Sequence, residues 1–302
     1  TAGTYTCTVT DANGCPYTGP ISVTVTQSPS PIQVVASSTN VTCNPVNGVA
    51  NNGTATVNVS GGVPGYTYAW GATAGGVVPS GQATNQNLTG LTAGTYTCTI
   101  TDFWSCVHVE TIIITEPLPI SIPIIATDVS CFGLNNGIAT ANPSGGSGGY
   151  TYSWSTSPIQ TTPTITNLSA GPYTCTVTDV NGCQGSATTT INEPTPITAS
   201  GNISHVSCNG ENDGSVNLSV SGGNPYTIGT PYTYLWSNGQ TSNIATMLTA
   251  GLYSVEITDS TNCSITIPFT INEPSVALSA SLTITNVLCN GDSNGILVAN
   301  VV

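Results

Sequence analysis

The residues best able to do chemistry in this chain are eleven cysteines, and they fall into three classes by their surroundings. Cys43, Cys131, Cys208 and Cys289 form the first class, each just before a turn rich in Asn and Gly. Cys7, Cys98 and Cys175 form the second, each two residues after a tyrosine. Cys15, Cys106, Cys183 and Cys263 form the third, each four residues after an aspartate. The chemistry they suggest is disulfide formation in an oxidising compartment. Zinc binding is disfavoured, because no Cys-x2-Cys pair occurs and the two histidines, His108 and His205, lie far apart in sequence. A further copy of the tyrosine phrase carries Val255 where the second class should stand. That position is therefore an apolar slot, which a free thiol fills well. Cys43, Cys106, Cys131, Cys183, Cys208 and Cys263 remain as the structural disulfide candidates. The simplest expectation pairs them within a repeat, as Cys43–Cys106, Cys131–Cys183 and Cys208–Cys263. Each such bridge closes a loop of roughly fifty to sixty residues and contributes about 4 kcal/mol in the chain-entropy model. The rival places the two classes at opposite ends of a sandwich and joins successive repeats, as Cys43–Cys183 and Cys131–Cys263. Both pairings stay open at this level.

Other chemistry is sparse. Asp11, Asp102, Asp179 and Asp259 share one repeat position, where a short Asx turn starts a hairpin. The alternative is a Ca²⁺ ligand, joined by Glu211, Asn212, Asp213 or Asp292. One repeat offers only Asn135 and Asn136 there, which argues against a metal common to all; no cofactor is expected. Trp70, Trp154 and Trp236 are expected in a sandwich core rather than as sugar-stacking platforms. Tyr96, Tyr173 and Tyr253 have the spacing of a tyrosine corner. Phe103 and Trp104 fall in a hairpin turn and are the best candidates for a contact surface. The two histidines occupy non-equivalent places, and a Ser-His-Asp triad is not suggested. Sequons such as Asn87-Leu88-Thr89 and Asn167-Leu168-Ser169 are common in so Thr- and Asn-rich a chain.

Lysine and arginine are absent, thirteen acidic residues give a net charge of −13, and charged residues make up only 4% of the chain. With no cation to neutralise phosphate, nucleic-acid binding is excluded, and an anionic bilayer gains nothing. No apolar run reaches a membrane-spanning length, so direct membrane insertion is not expected. Lysine-based chemistry, including lysine–asparagine crosslinks, is impossible. Trypsin has no cleavage site, which suits an exposed extracellular life.

The elements that must position these residues recur. Gly94-Thr95-Tyr96-Thr97-Cys98-Thr99-Ile100-Thr101-Asp102 returns as Gly171 to Asp179 and Gly251 to Asp259, with Gly3 to Asp11 a further copy. The steps between tyrosines 5, 96, 173 and 253 are 91, 77 and 80 residues, enough for a small core each. Ser60-Gly61-Gly62, Ser144-Gly145-Gly146 and Ser221-Gly222-Gly223 precede the tryptophans by 8, 8 and 13 residues. The tryptophan-to-tyrosine gaps are 26, 19 and 17, so the first repeat has a longer loop there. Short alternating runs such as Ile138 to Asn142 and Tyr150 to Trp154, bounded by Gly, Asn and Pro, read as strands. Helical periodicity is missing. The fold expected is all-β, tandem immunoglobulin-like β-sandwich domains in a linear array: 1–29 the C-terminal part of a repeat, 30–118, 119–195 and 196–275 whole repeats, and 276–302 the N-terminal part of another. The chain reads as cut from a longer polymer. Short joints such as Thr115-Glu116-Pro117 and Asn192-Glu193-Pro194 predict a stiff rod.

Val206-Ser207-Cys208-Asn209-Gly210, Asp213-Gly214-Ser215, Ser221-Gly222-Gly223, Tyr232 to Gly239, Leu248 to Gly251 and the Thr258-Asp259…Cys263 turn resemble the SprB repeat of Bacteroidota gliding adhesins, itself similar to the polycystic-kidney-disease type of immunoglobulin-like domain. The resemblance covers nearly the whole chain, once per repeat. It implies export by the type IX secretion route, a place on the bacterial cell surface, and a structural or adhesive role as a filament or protease-resistant stalk. Partners are then neighbouring repeats, other copies in a filament, or surface glycans. The alternatives are a glycan- or surface-binding module, or the accessory region of a larger secreted enzyme. Cysteine at the second-class position, where the family usually has valine, and the lack of basic residues depart from the family pattern.

Overall fold

The computed structural model describes residues 1–19, 21–27, 30–48, 50–287, 289–291 and 293–301. Every regular element among them is a β-strand. Two strands lead, β1 (Gly3–Cys7) and β2 (Ile21–Val25). The first repeat holds β3 (Gln33–Thr39), β4 (Gly53–Ser60), β5 (Thr67–Thr73), β6 (Asn87–Leu91), β7 (Gly94–Thr101) and β8 (Val107–Ile114). The second holds β9 (Ile124–Thr127), β10 (Gly137–Ala141), β11 (Thr151–Trp154), β12 (Thr164–Leu168), β13 (Gly171–Thr178) and β14 (Gln184–Ile191). The third holds β15 (Thr198–Ser204), β16 (Gly214–Ser221), β17 (Thr233–Trp236), β18 (Ile244–Leu248), β19 (Gly251–Thr258) and β20 (Ser264–Ile271). β21 (Ala280–Thr285) and β22 (Ile296–Val301) follow.

Each whole repeat makes two three-stranded sheets with one order, such as β3-β4-β6 and β5-β7-β8. Numbered within a repeat, the first sheet takes strands one, two and four, and the second takes three, five and six. This is the immunoglobulin arrangement with one edge strand of the first sheet omitted. Period-two alternation of side chains explains it. In β7, Tyr96, Cys98 and Ile100 are buried while the threonines between them are half-exposed. In β4, Ala55 and Val57 point inward. In the first repeat these residues join Trp70, Leu88, Leu91, Ile112 and Ile114 in one core drawn from both sheets. The third repeat builds the same core from Val216, Leu218, Trp236, Leu248, Val255, Ile257, Phe269 and Ile271. Burial of each such side chain contributes about 1.5–3 kcal/mol.

The contacts divide the chain into two compact units. One comprises Thr1–Ile124, Ala141–Pro163 and Thr174–Thr188; the other comprises Ile125–Thr140, Thr164–Tyr173 and Thr189–Val302. The division runs through the second repeat.

Candidate functional site

A buried carboxylate organises the turn that carries each third-class cysteine. Asp102, Asp179 and Asp259 are 4%, 5% and 0% exposed. Oδ1 of Asp102 accepts the N–H groups of Trp104 and Cys106, at 2.9 and 2.8 Å, and Oδ2 accepts that of Val63 at 3.0 Å. Asp179 does the same for Asn181, Cys183 and Ser147, and Asp259 for Thr261, Cys263 and Asn224. The N–H of Val63, then those of Cys106 and Trp104, hold the Asp102 carboxyl below its ordinary range against the opposing effect of burial. Burial pushes Asp259 up, but the N–H groups of Asn224, Cys263 and Thr261 outweigh it and its carboxyl is also lowered. The aspartate thus clamps its hairpin to the Ser-Gly-Gly turn. Glycine is required there: at Gly61, Gly145 and Gly222 φ is positive, and a Cβ would lie 2.2, 2.1 and 2.0 Å from the carbonyl oxygens of Pro31, Pro119 and Pro196. The proline joint passes directly over this turn.

The first-class cysteine meets the third-class cysteine of the following repeat. Cys43 bonds Cys183 and Cys131 bonds Cys263, each with a Cα–Cα distance of 5.6 Å. The within-repeat pairing expected from sequence is corrected accordingly. Geometry forbids it: Val41 donates to Thr115 O, so Cys43 sits by the C-terminal end of β8, whereas Cys106 precedes its N-terminal end. Eight residues of strand place the two roughly 25 Å apart, far beyond disulfide reach. Cys106 and Cys208, expected as bridge partners, carry free, exposed thiols.

The surroundings of the two cystines differ. At the first, Asn47 is 9% exposed. Its Nδ2 donates to Gln184 O at 3.0 Å, its Oδ1 accepts from Ile120 N at 2.7 Å, and its carbonyl accepts from Gln184 N at 2.8 Å. Gly185 leaves the room, since a Cβ there would lie 3.3 Å from Asn47 Nδ2. At the second, Asn224 Nδ2 and Thr261 Oγ1 both donate to Ser130 O, at 3.4 Å. An open cavity of about 300 Å³ lies beside it, lined by Phe132, Leu134, Pro196, Ile197 and Ile265 among others. The joint glutamate serves the first-class turn throughout. Glu116 accepts from Asn44 Nδ2, Glu193 from Gly133 N and Glu273 from Gly210 N. Sequence reasoning passed over these glutamates and Asn47; the recurring Glu-Pro pair was the available signal.

The remaining candidates sit apart from the joints. Cys98 and Cys175 are buried free thiols that pair in register with Trp70 and Trp154, as Val255 does with Trp236. Burial pushes the Cys98 thiol up to about 11 and raises that of Cys175. Cys7 is free and exposed. The three tryptophans are buried and donate Nε1–H to the carbonyls of Asn85, Thr162 and Ser242. Tyr96, Tyr173 and Tyr253 donate to the carbonyl four residues earlier. Only Tyr96 is fully buried; Tyr173 and Tyr253 are half-exposed. The longer loop of the first repeat covers Tyr96, where Val77 N donates to its hydroxyl. Phe103 and Trp104 are 71% and 55% exposed. His108 Nε2 lies 3.3 Å from Glu110, and His205 Nδ1 accepts from Asn272 N. Among the calcium candidates, Asp213 accepts from Ser207, which lowers its carboxyl; Asp292 lies outside the described residues. Among the described residues no three His, Cys, Asp or Glu side chains gather as a metal-binding group, and no helix is long and apolar enough to cross a membrane.

The SprB repeat model matches residues 35–74, 124–158 and 200–241. Each match ends soon after the tryptophan and stops short of the hairpin that carries the third-class cysteine. No curated protein matches the chain. Among solved structures, three N-terminal domains of the bacteriophage RB49 highly immunogenic outer capsid protein are similar at 15% identity, over 82% of this chain and 100% of that one, with a TM-score of 0.38. The N-terminal four Ig domains of Dscam1 isoform 6.9 are similar at 10% identity, over 90% of this chain and 80% of that one, with a TM-score of 0.24.

Proposed function

We propose that this chain, which carries SprB repeats at three stretches, is the structural and adhesive repeat region of a bacterial cell-surface protein exported by the type IX secretion route. Its work is to hold distance: a stiff, protease-resistant stalk with no catalysis in this span. The observation that carries the reading is the pair of cystines at successive joints. A bridge between neighbouring domains adds little to either core and limits how one moves on the next. The joint glutamates and the prolines over the Ser-Gly-Gly turns act in the same direction. Disulfides suit an extracellular place. Small-angle X-ray scattering of the oxidised and reduced chain tests this. A narrow distribution of extents in the oxidised protein that broadens on reduction is expected. An oxidised chain as flexible as the reduced one overturns the stalk.

The exposed Phe103 and Trp104 favour a second reading, in which a repeat recognises a glycan by stacking. Replacing both by serine separates the two. Unchanged adhesion supports the spacer; lost adhesion with unchanged stability supports the binding module.

A further inference from the structure

The two joint cystines are not equally covered. At the first joint Cys43 and Cys183 are 6% and 1% exposed. The turn after Cys43 folds back over the bond: a Cβ on Gly48 would lie 3.0 Å from Cys43 Sγ and 3.9 Å from Cys183 Cα. Asn47, bonded to Ile120 N and Gln184 O, holds that turn down. At the second joint the turn is four residues shorter. Cys131 is half-buried and Cys263 is 9% exposed. Gly133, in the shorter turn, has nothing within 4 Å of where its Cβ would stand. Both cysteines line the open cavity of about 300 Å³, whereas no cysteine lines the pocket beside Asn47.

The groups beside the sulfurs differ as well. Asp179 and Asp259 sit alike, each accepting the N–H of its cysteine, so they do not separate the joints. Neither do Ser130 Oγ and Thr42 Oγ1, at 3.9 Å from Cys131 Sγ and 4.0 Å from Cys43 Sγ. Thr261 Oγ1, however, lies 3.1 Å from Cys263 Sγ. The residue in its place at the first joint is Asn181, whose amide donates to Ser147 Oγ instead. A hydroxyl so placed can turn its hydrogen toward a sulfur that takes on negative charge.

We propose that the Cys131–Cys263 cystine is a redox-sensitive latch, opened by low-molecular-weight thiols under conditions that leave Cys43–Cys183 closed. The thiolate enters by the cavity and attacks Sγ of Cys131, the more exposed cysteine. The cystine bond breaks, a bond forms between the reagent sulfur and Cys131, and Cys263 leaves as a thiolate beside the Thr261 hydroxyl. A second reagent thiolate then attacks the reagent sulfur of this mixed disulfide and frees Cys131. One protein cystine is reduced to two thiols, and two reagent thiols are oxidised to one disulfide. The rate of such exchange is set by access and by the leaving thiolate, and both favour the second joint. Selective opening rests on the two cystines alone; that it loosens one joint of a rod rests on the stalk reading.

The test treats the intact oxidised chain with graded 2-mercaptoethanol in native buffer, quenches with an alkylating agent and maps the labelled cysteines by mass spectrometry of chymotryptic fragments. Cys131 and Cys263 are expected to label at least tenfold faster than Cys43 and Cys183. Their rate should rise in proportion to thiol concentration, with the mixed disulfide on Cys131. Thr261→Val should slow this opening severalfold. Leu134→Trp, which covers the cavity, should slow it too and leave Cys43–Cys183 unchanged. Equal rates at the two bridges overturn the proposal, as does a mixed disulfide on Cys263 or an unchanged rate in both variants. A rate that levels off with thiol concentration also overturns it, because the bridge then opens only when the joint unfolds. Small-angle X-ray scattering of the half-reduced chain separates the two readings: selective labelling with no broadening of extents keeps the latch and counts against the stalk.

Discussion

The two joints share a cystine and a clamped aspartate but differ in what surrounds them. The first is sealed by a polar side chain: Asn47 makes two side-chain bonds to the following repeat and fills the space that Gly185 leaves. The second has two longer polar contacts, from Asn224 and Thr261 to Ser130 O, beside an open cavity that Leu134 and Ile265 help to line. Ile265 stands two residues after Cys263, as Gly185 stands two after Cys183. A large residue in the turn goes with none behind the cysteine at the first joint, and apolar residues occur on both sides at the second. The bridge is therefore the constant part and its packing is matched pair by pair. Neighbouring repeats are not interchangeable even though their folds are.

The largest effect expected is from the bridges themselves. The two span 140 and 132 residues of sequence, so loop-closure entropy treats them alike, at about 5 kcal/mol each if the joined repeats unfold together. Cys183→Ser and Cys263→Ser, followed by denaturant unfolding, then report the packing around each bridge. The first variant should keep more of its joint than the second, read as slower hydrogen exchange of Gln184 N in C183S than of the joint amides in C263S. Equal loosening would mean that Asn47 contributes nothing the bridge does not already enforce.

Next in size is the clamp. Asp179→Ala and Asp259→Ala each leave three backbone N–H groups without their acceptor, one buried and two part-buried, at a cost of about 3 kcal/mol. Thermal unfolding should show both variants destabilised, with bridge formation slowed at Cys183 in one and Cys263 in the other. Acid tests the charge. The carboxyls of Asp102 and Asp259 are held below their unfolded values. The folded state then binds fewer protons, so their contribution is complete above the ordinary carboxylate range and is lost as pH falls through the lowered values. Stability that stayed flat on acidification below about pH 4 would contradict the clamp.

Much of this was legible beforehand. The strands, the repeat frame and the Asp-to-Cys spacing follow from local pattern, because alternation and turn chemistry are local; of the six cysteines expected to bond, Cys43, Cys131, Cys183 and Cys263 do, while Cys106 and Cys208 are free. Val255 marked the second class as a core slot, and Cys98 and Cys175 lie in that slot beside a tryptophan. The pairing was legible only as one of two alternatives. Sequence distance favoured Cys43 with Cys106; the rival from sandwich topology, Cys43 with Cys183 and Cys131 with Cys263, is the one observed, and the run of β8 between the two ends decides it. The Asn47 contact was hidden for another reason. The turn from Cys43 to Gly53 is four residues longer than that from Cys131 to Gly137, and where an insertion folds depends on the neighbour it meets.

The smallest expected effect divides the joints most cleanly. Asn47→Ala removes a buried amide that both donates and accepts across the joint, leaving Gln184 O and Ile120 N without those partners; the expected loss is about 2 kcal/mol. Leu134→Ala removes a side chain that is 46% exposed beside an open cavity, so little apolar area returns to water and the loss should stay under about 1 kcal/mol. Gly185→Ile places at the first joint the residue type of the second. Its side chain meets Ile120 and Asn47, which already lie 3.2 and 3.3 Å from where its Cβ would stand, so the variant should weaken the first joint at least as much as Asn47→Ala. The double variant N47A/G185I should recover the part of that loss that comes from Asn47, with the crowding against Ile120 left in place. Non-additivity of that sign in a double-mutant cycle is the signature of paired packing. Simple addition of the two losses would show that each side of the joint tolerates its neighbour independently.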